Sequence, residues 1–222
     1  MKNSIRINKV VTEVKPPLKK EKNMIIGIDI DDTISETTIQ TDILAKEYTE
    51  CILNRNFKIH ETNSSDPMWA KYVYGWSIEE DTEFWNLYYE KDMENVKPKY
   101  NAVKVINELY KENKIIIISA RWDRKSDIIN RITKEWLEKY NINYHKLYLG
   151  HKDKRNIVRE NNIDLFIDDS IKTCNEIQSI GIKSLIMTTR LNKNIDVGKI
   201  IRVNNWDEIY SEIQKMKNGE IK

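Results

Sequence analysis

Met24-Ile25-Ile26-Gly27-Ile28-Asp29-Ile30-Asp31-Asp32-Thr33 decides how the rest of this 222-residue chain is read. Its first half is a short apolar run rich in β-branched residues, the pattern of a strand buried on both faces. Its second half breaks into carboxylates. Ligands of open α/β sheets bind beyond the carboxyl ends of the strands, so the residues that stop an apolar run are where chemistry is expected. Asp29 and Asp31, two apart in an extended segment, project to the same side. Side by side they repel each other unless a cation or a proton sits between them.

The same alternation continues outward. Further strands are expected at Ile115–Ser119, Tyr144–Leu149, Leu165–Ile167 and Ser184–Met187, with helices at Tyr100–Glu112, Lys125–Tyr140, Lys154–Asn161 and Ser170–Ile180 between them. Gly181 stands where a helix C-terminus favours glycine, and a last helix over Trp206–Met216 would dock the C-terminus. Strands alternating with helices of this length imply βαβ units, hence an α/β fold with a parallel sheet covered on both faces.

The stretch from about residue 34 to 97 interrupts the pattern. It holds no convincing strand but helical segments at Thr38–Asn54, around Pro67–Tyr74 and at Glu79–Met93, and is far longer than the usual strand-to-helix loop of about 2–6 residues. The economical reading is a small helical insertion after the first strand, carrying Trp69, Tyr72, Tyr74, Trp76, Trp85, Tyr88 and Tyr89. Residues 1–23 read differently again. Pro16-Pro17 and the run Lys19-Lys20-Glu21-Lys22 describe a flexible basic tail, and Met24 is a candidate functional start.

Composition narrows the function classes. With 40% hydrophobic residues the chain is long enough to bury a core, which argues against disorder throughout. Lys+Arg of 37 against Asp+Glu of 35 gives a net charge of +2, without the basic excess of a nucleic-acid binder. Cys51 and Cys174, far apart, support neither a disulfide framework nor a zinc site. His60, His145 and His151 lack metal-ligand spacing, and no apolar run suits a membrane span or a secretory signal. The expected compartment is the cytosol.

Three expected strands end in chemistry-bearing groups: the first at Asp29-Ile30-Asp31, another at Ser119-Ala120-Arg121, a third at Asp168-Asp169. Each alone has a plainer reading, as a polar turn or, for Asp169 or Ser170, a helix N-cap. Together, all at strand ends, they describe one site whose oxygen ligands, with no His or Cys, suit Mg²⁺.

This set resembles the four motifs of the haloacid dehalogenase (HAD) superfamily: Asp29-x-Asp31-x-Thr33, Ser119, a lysine ahead of the third motif strand, and Asp168-Asp169. The resemblance spans about Met24 to Thr189. The segments Ile117-Ile118-Ser119-Ala120-Arg121, Phe166-Ile167-Asp168-Asp169-Ser170 and Val203–Ile209 are similar to the 5′(3′)-deoxyribonucleotidase-like family and its bacterial nucleotidases. It implies a Rossmann-like core over residues 24–33 and 98–222, with a C1-type helical cap at 34–97. It also implies Mg²⁺-dependent hydrolysis of a small phosphate monoester, a nucleoside (deoxy)monophosphate first, without nucleic-acid polymer or membrane as partner. A sugar phosphate as substrate, or a non-catalytic phosphate- or nucleotide-binding regulator, are the alternatives.

In this resemblance Asp29 is the nucleophile that forms an aspartyl-phosphate. Asp31 is the acid and base, its backbone carbonyl completing a metal shell with Asp29, Asp168 and Asp169. Thr33 braces the loop by hydrogen bonding. Ser119 and the amides of Ala120 and Arg121 hold the phosphate with a lysine: Lys154, because Asp153-Lys154 matches the family pattern, or else Lys152. The Arg121 side chain either reaches substrate or lies on the surface. Asp32 stands where small-capped members often have glycine. Trp69, Trp76, Phe84 and Trp85 either stack on a nucleobase or pack the insertion.

Overall fold

The computed structural model describes residues 23–61, 69–121 and 127–220. Six parallel strands form one sheet in the order β3-β2-β1-β4-β5-β6: β1 Ile25–Ile28, β2 Lys114–Ile118, β3 Lys146–Tyr148, β4 Leu165–Asp168, β5 Lys183–Met187 and β6 Ile201–Val203. After β3 the chain crosses back over β2 and β1 to lay β4 on the other side of β1. That reversal is a topological switch point, and it lies between the two strands that end in carboxylates.

Alternation along the strands builds two apolar layers. Ile26, Ile28, Ile115, Ile117, Leu165 and Ile167 face α4 (Ala102–Tyr110), α5 (Ile128–Lys139) and α8 (Trp206–Lys217). Ile116, Ile118 and Phe166 face α6 (Arg155–Glu160) and α7 (Ile171–Ser179). α7 ends as expected at Gly181, which takes φ +82°. Gly27 has a spatial reason to be glycine. A Cβ there would overlap the Phe166 ring and sit 2.9 Å from Ile163 Cδ1. Gly27→Ala is therefore expected to destabilise the fold by about 1–3 kcal/mol through overpacking of a strand that ends in the site, as read by a lower urea midpoint.

The sixth strand was not expected from sequence. It is three residues long, and its middle residue, Arg202, donates to Asn192 Oδ1 and to the carbonyls of Asn192 and Ile195. Apolar periodicity over so short an edge strand carries no signal; its register with β5 makes it a strand.

The stretch between β1 and α4 is helical: α1 (Thr37–Glu47) running into a π-helical turn at Tyr48–Ile52, α2 (Trp69–Tyr74) and α3 (Ile78–Asn95). Ser77 and Glu80 close a reciprocal capping box at the start of α3. The helices bury a small core of their own around Leu44, Tyr48, Val73, Trp76 and Phe84. A two-stranded neck joins this insertion to the sheet: Ser35 bridges Pro98, Glu36 N donates to Lys97 O at 2.8 Å, and Lys99 N donates to Ile34 O at 2.7 Å. Met93 and Tyr89 of α3 pack on Ile129 and Ile132 of α5. The expected tail, and the first residues expected for α2 and α5, lie outside the described residues.

Candidate active site

β1 stops at Ile28, and Asp29 N still donates to Ile167 O of β4 at 2.9 Å, which sets Asp29 beside the end of that strand. The Asp168 carboxylate accepts the Ser170 amide at 2.8 Å, and Ser170 caps α7 by accepting from Thr173 N. The N-cap is thus Ser170, and Asp169 is left to the site. One oxygen each from Asp29, Asp168 and Asp169 lies within 4.8 Å of the others.

Lys154, only 4% exposed, ties this group together by donating to Asp29 Oδ1 at 2.5 Å and Asp168 Oδ2 at 2.7 Å. Burial would lower its pKa, but Asp168 and Asp29 raise it above the ordinary lysine value. Lys152 is exposed. Of the two candidate lysines, Lys154 is the one among the acids.

Burial pushes the Asp29 carboxyl up to about 7; Lys154 pulls it down, while Asp168 and Asp31 push it further up. Asp169 is raised well above the usual carboxylate range by burial, then by Asp32, Asp168 and Asp29. Two buried carboxylates and a partly buried third, with one ammonium, leave excess negative charge, which protons or a cation must offset. The all-oxygen donor set fits a hard divalent cation.

Asp31 behaves differently. Burial alone would raise its pKa, but the Arg121 guanidinium holds it below the usual range. Arg121 Nη2 donates to Asp31 Oδ1 at 2.8 Å, and Thr37 Oγ1 donates to the same oxygen at 2.9 Å. The Asp31 carboxylate, paired with Arg121, is not among the three acids whose oxygens converge.

Ser119 is fully buried at the end of β2, its hydroxyl accepting the Arg121 amide at 3.1 Å; Ala120 is exposed beside it. Thr33 braces the loop otherwise than expected. Its carbonyl accepts Trp206 Nε1 at 2.9 Å, while its buried hydroxyl has no hydrogen-bond partner among the described residues. Asp32 holds φ +53° and caps α1, its carboxylate accepting the Thr38 amide at 2.9 Å and the Thr38 hydroxyl. A capping carboxylate explains an acid where glycine would be conformationally easier.

Arg121 departs from the surface position that was one of its two expectations. It is buried rather than on the surface, and its guanidinium engages Asp31. Sequence reasoning could not foresee this, since the partners are 90 residues apart. Asp92, fully buried on α3 and accepting from Thr41 Oγ1, was likewise unanticipated. So was the contact of Arg190, after β5, with Asp42 of α1 through two hydrogen bonds of 2.8 and 2.9 Å.

The four aromatic candidates divide. Phe84 is fully buried and Trp76 is 4% exposed; their rings pack with Tyr48, Tyr74 and Tyr88, and Trp76 Nε1 donates to Thr49 Oγ1. Packing the insertion occupies both rings, because so small a helical unit has few other large apolar groups for a core. Trp69 and Trp85 are half-buried, 6.4 Å apart between ring centroids.

Among the described residues, no helix is long and apolar enough to cross a membrane. A nucleotidase of Clostridium acetobutylicum is 29% identical over 195 residues, covering 86% of this chain and 94% of that protein. A haloacid dehalogenase-like hydrolase from Streptococcus pneumoniae superposes with a TM-score of 0.64 at 15% identity, over 86% of this chain and 99% of that one. CbbY from Rhodobacter sphaeroides, crystallised as an Asp-to-Asn mutant with xylulose-1,5-bisphosphate, superposes at 0.57 with 11% identity, over 84% and 96% of the two chains. The likeness of these two structures is one of fold. The family described as 5′ nucleotidase, deoxy (pyrimidine), cytosolic type C matches residues 23–218. With strand-end acids at the switch point of a parallel sheet and a match along nearly its whole length, the chain belongs to that family, a HAD-like phosphoric monoester hydrolase.

Proposed function

We propose that this enzyme hydrolyses nucleoside (deoxy)monophosphates through an aspartyl-phosphate on Asp29, with Mg²⁺ as its cation. The observation that carries the reading is the convergence of Asp29, Asp168 and Asp169 on one another around Lys154. Asp29, Asp168 and Asp169 would hold the cation with the Asp31 carbonyl. When bound, it offsets the repulsion between carboxylate and phosphate dianion and polarises the phosphoryl group. Asp29 attacks phosphorus in line. Asp31 protonates the leaving alkoxide, then takes a proton from the water that opens the intermediate. Ser119, the Ala120 amide and Lys154 bind the phosphoryl oxygens.

The insertion at 34–97 acts as the cap over the core at 24–33 and 98–222. Its own apolar core and its two-stranded neck support that division. Half-buried Trp69 and Trp85 are the rings left to meet a base. The nucleotide assignment draws on the family description and on the clostridial relative's name. The test is phosphate release from nucleoside monophosphates, sugar phosphates and p-nitrophenyl phosphate, with Mg²⁺ and with a chelator. Nucleotides should give the highest kcat/KM, and chelation should stop turnover. A sugar phosphate turned over faster than every nucleotide would overturn the substrate, and undiminished activity under chelation would overturn the cation.

A further inference from the structure

We infer that Arg121 is a positioning residue that locks the Asp31 carboxylate so that Oδ2, and not Oδ1, carries the proton to and from the reacting oxygen. The inference rests on the acid–base role proposed for Asp31. Three donors converge on Oδ1: Arg121 Nη2 at 2.8 Å, Arg121 Nε at 3.1 Å and Thr37 Oγ1 at 2.9 Å. Among the described residues Oδ2 receives only Arg121 Nε, at 3.1 Å. A carboxylate oxygen offers about two lone-pair directions, so Oδ1 is saturated while Oδ2 keeps room for a proton.

The lock is itself held from behind. The Arg121 side chain is 1% exposed, whereas that of Asp31 is 32% exposed: the arginine reaches outward from the interior to an acid on the wall of the site. Its guanidinium lies over the Trp136 ring at 5.7 Å, and Nη1 is 3.5 Å from Thr133 Oγ1. Trp136 is anchored in turn, donating from Nε1 to Val96 O at 2.7 Å, just before the neck. Burying a guanidinium is costly, and a buried ion pair is weak evidence of a stabilising role. A rigid fork that fixes one carboxylate orientation accounts for its presence here, and lysine cannot reproduce it.

Arg121 favours the ionised carboxyl, so Oδ2 takes up a proton before the first step; in that step the Oδ2–H bond breaks as its proton passes to the ester oxygen, the P–O(ester) bond breaks and Asp29 O–P forms. In the second, Oδ2 takes a proton from water while the water oxygen bonds to phosphorus and Asp29 O–P breaks. Only the first step depends on the leaving group, and kcat/KM reports it.

The experiment compares kcat/KM for a nucleoside monophosphate, whose alkoxide needs a proton, and p-nitrophenyl phosphate, whose phenolate leaves without one. Arg121→Lys is the primary variant and Arg121→Met the second, each checked for folding by thermal unfolding, with Asp31→Asn as reference. Arg121→Lys should lower the nucleotide value by about 10²-fold, the scale of a misplaced catalytic group, and the p-nitrophenyl phosphate value much less. Equal losses on both esters in the folded Arg121 variants would overturn the lock. Absence of any leaving-group bias in Asp31→Asn would instead overturn the acid role assigned to Asp31.

Discussion

Asp29→Asn is expected to lower kcat by roughly 10⁴- to 10⁶-fold, the scale of removing a covalent nucleophile. The amide is nearly isosteric, and its oxygen can still accept the hydrogen bond that Lys154 now makes with Asp29 Oδ1. The Lys154–Asp168 pair is also left in place. The fold should therefore survive while the attacking oxygen is lost, since a neutral amide cannot displace an alkoxide from phosphorus. Phosphate release and acid-stable trapping of labelled phosphate on the protein are the two measurements. A folded variant that retains a tenth of wild-type turnover, or labelling that persists in it, would remove Asp29 from the nucleophile's role.

Lys154→Met should cost about 3–5 kcal/mol of stability, because removing one partner from a buried ion pair leaves uncompensated charge behind. Here one ammonium serves two carboxylates, Asp29 and Asp168. The loss should depend on pH in a defined direction. Burial already raises Asp29 from 3.8 to about 7 with the lysine present. Between those values the native state holds a proton that the unfolded state has released, so stability falls as pH rises through the window. Without Lys154 the native pKa moves higher, and the window widens upward.

A divalent cation acts in the opposite sense, because it binds the ionised carboxylates. Saturating Mg²⁺ should raise the unfolding temperature of the wild type more at pH 8 than at pH 5. Urea titrations with and without chelator test both parts. A Lys154→Met variant as stable as wild type at pH 8 without metal would show that Lys154 does not balance these acids.

The sheet and its acids were readable because they depend on short-range pattern. Apolar β-branched runs end at Asp29 and Ile167 wherever the chain has to leave a buried strand, and five of the six strands were found that way. The break in the alternation from about residue 34 marks a stretch that is helical in the structure, beside the pairing of Ser35 with Pro98. The edge strand at Ile201–Val203 was not readable, because three residues with an arginine at the centre have no periodicity to read.

Side-chain partnership is another matter. Which lysine joins the acids is ambiguous along the chain, where Lys152 and Lys154 are two residues apart, and plain in space, where one is exposed and the other is buried between Asp29 and Asp168. Aromatic spacing cannot tell a ring that faces a ligand from one that fills a core; burial marks Trp76 and Phe84 as the latter. The pairing of Asp31 with Arg121 likewise has no linear signature. Local periodicity is enough to say which residues end strands, because burial of a strand is written in its neighbours. Which charges then meet depends on how β1, β2 and α5 pack, and that is decided only when the whole sheet closes over its core.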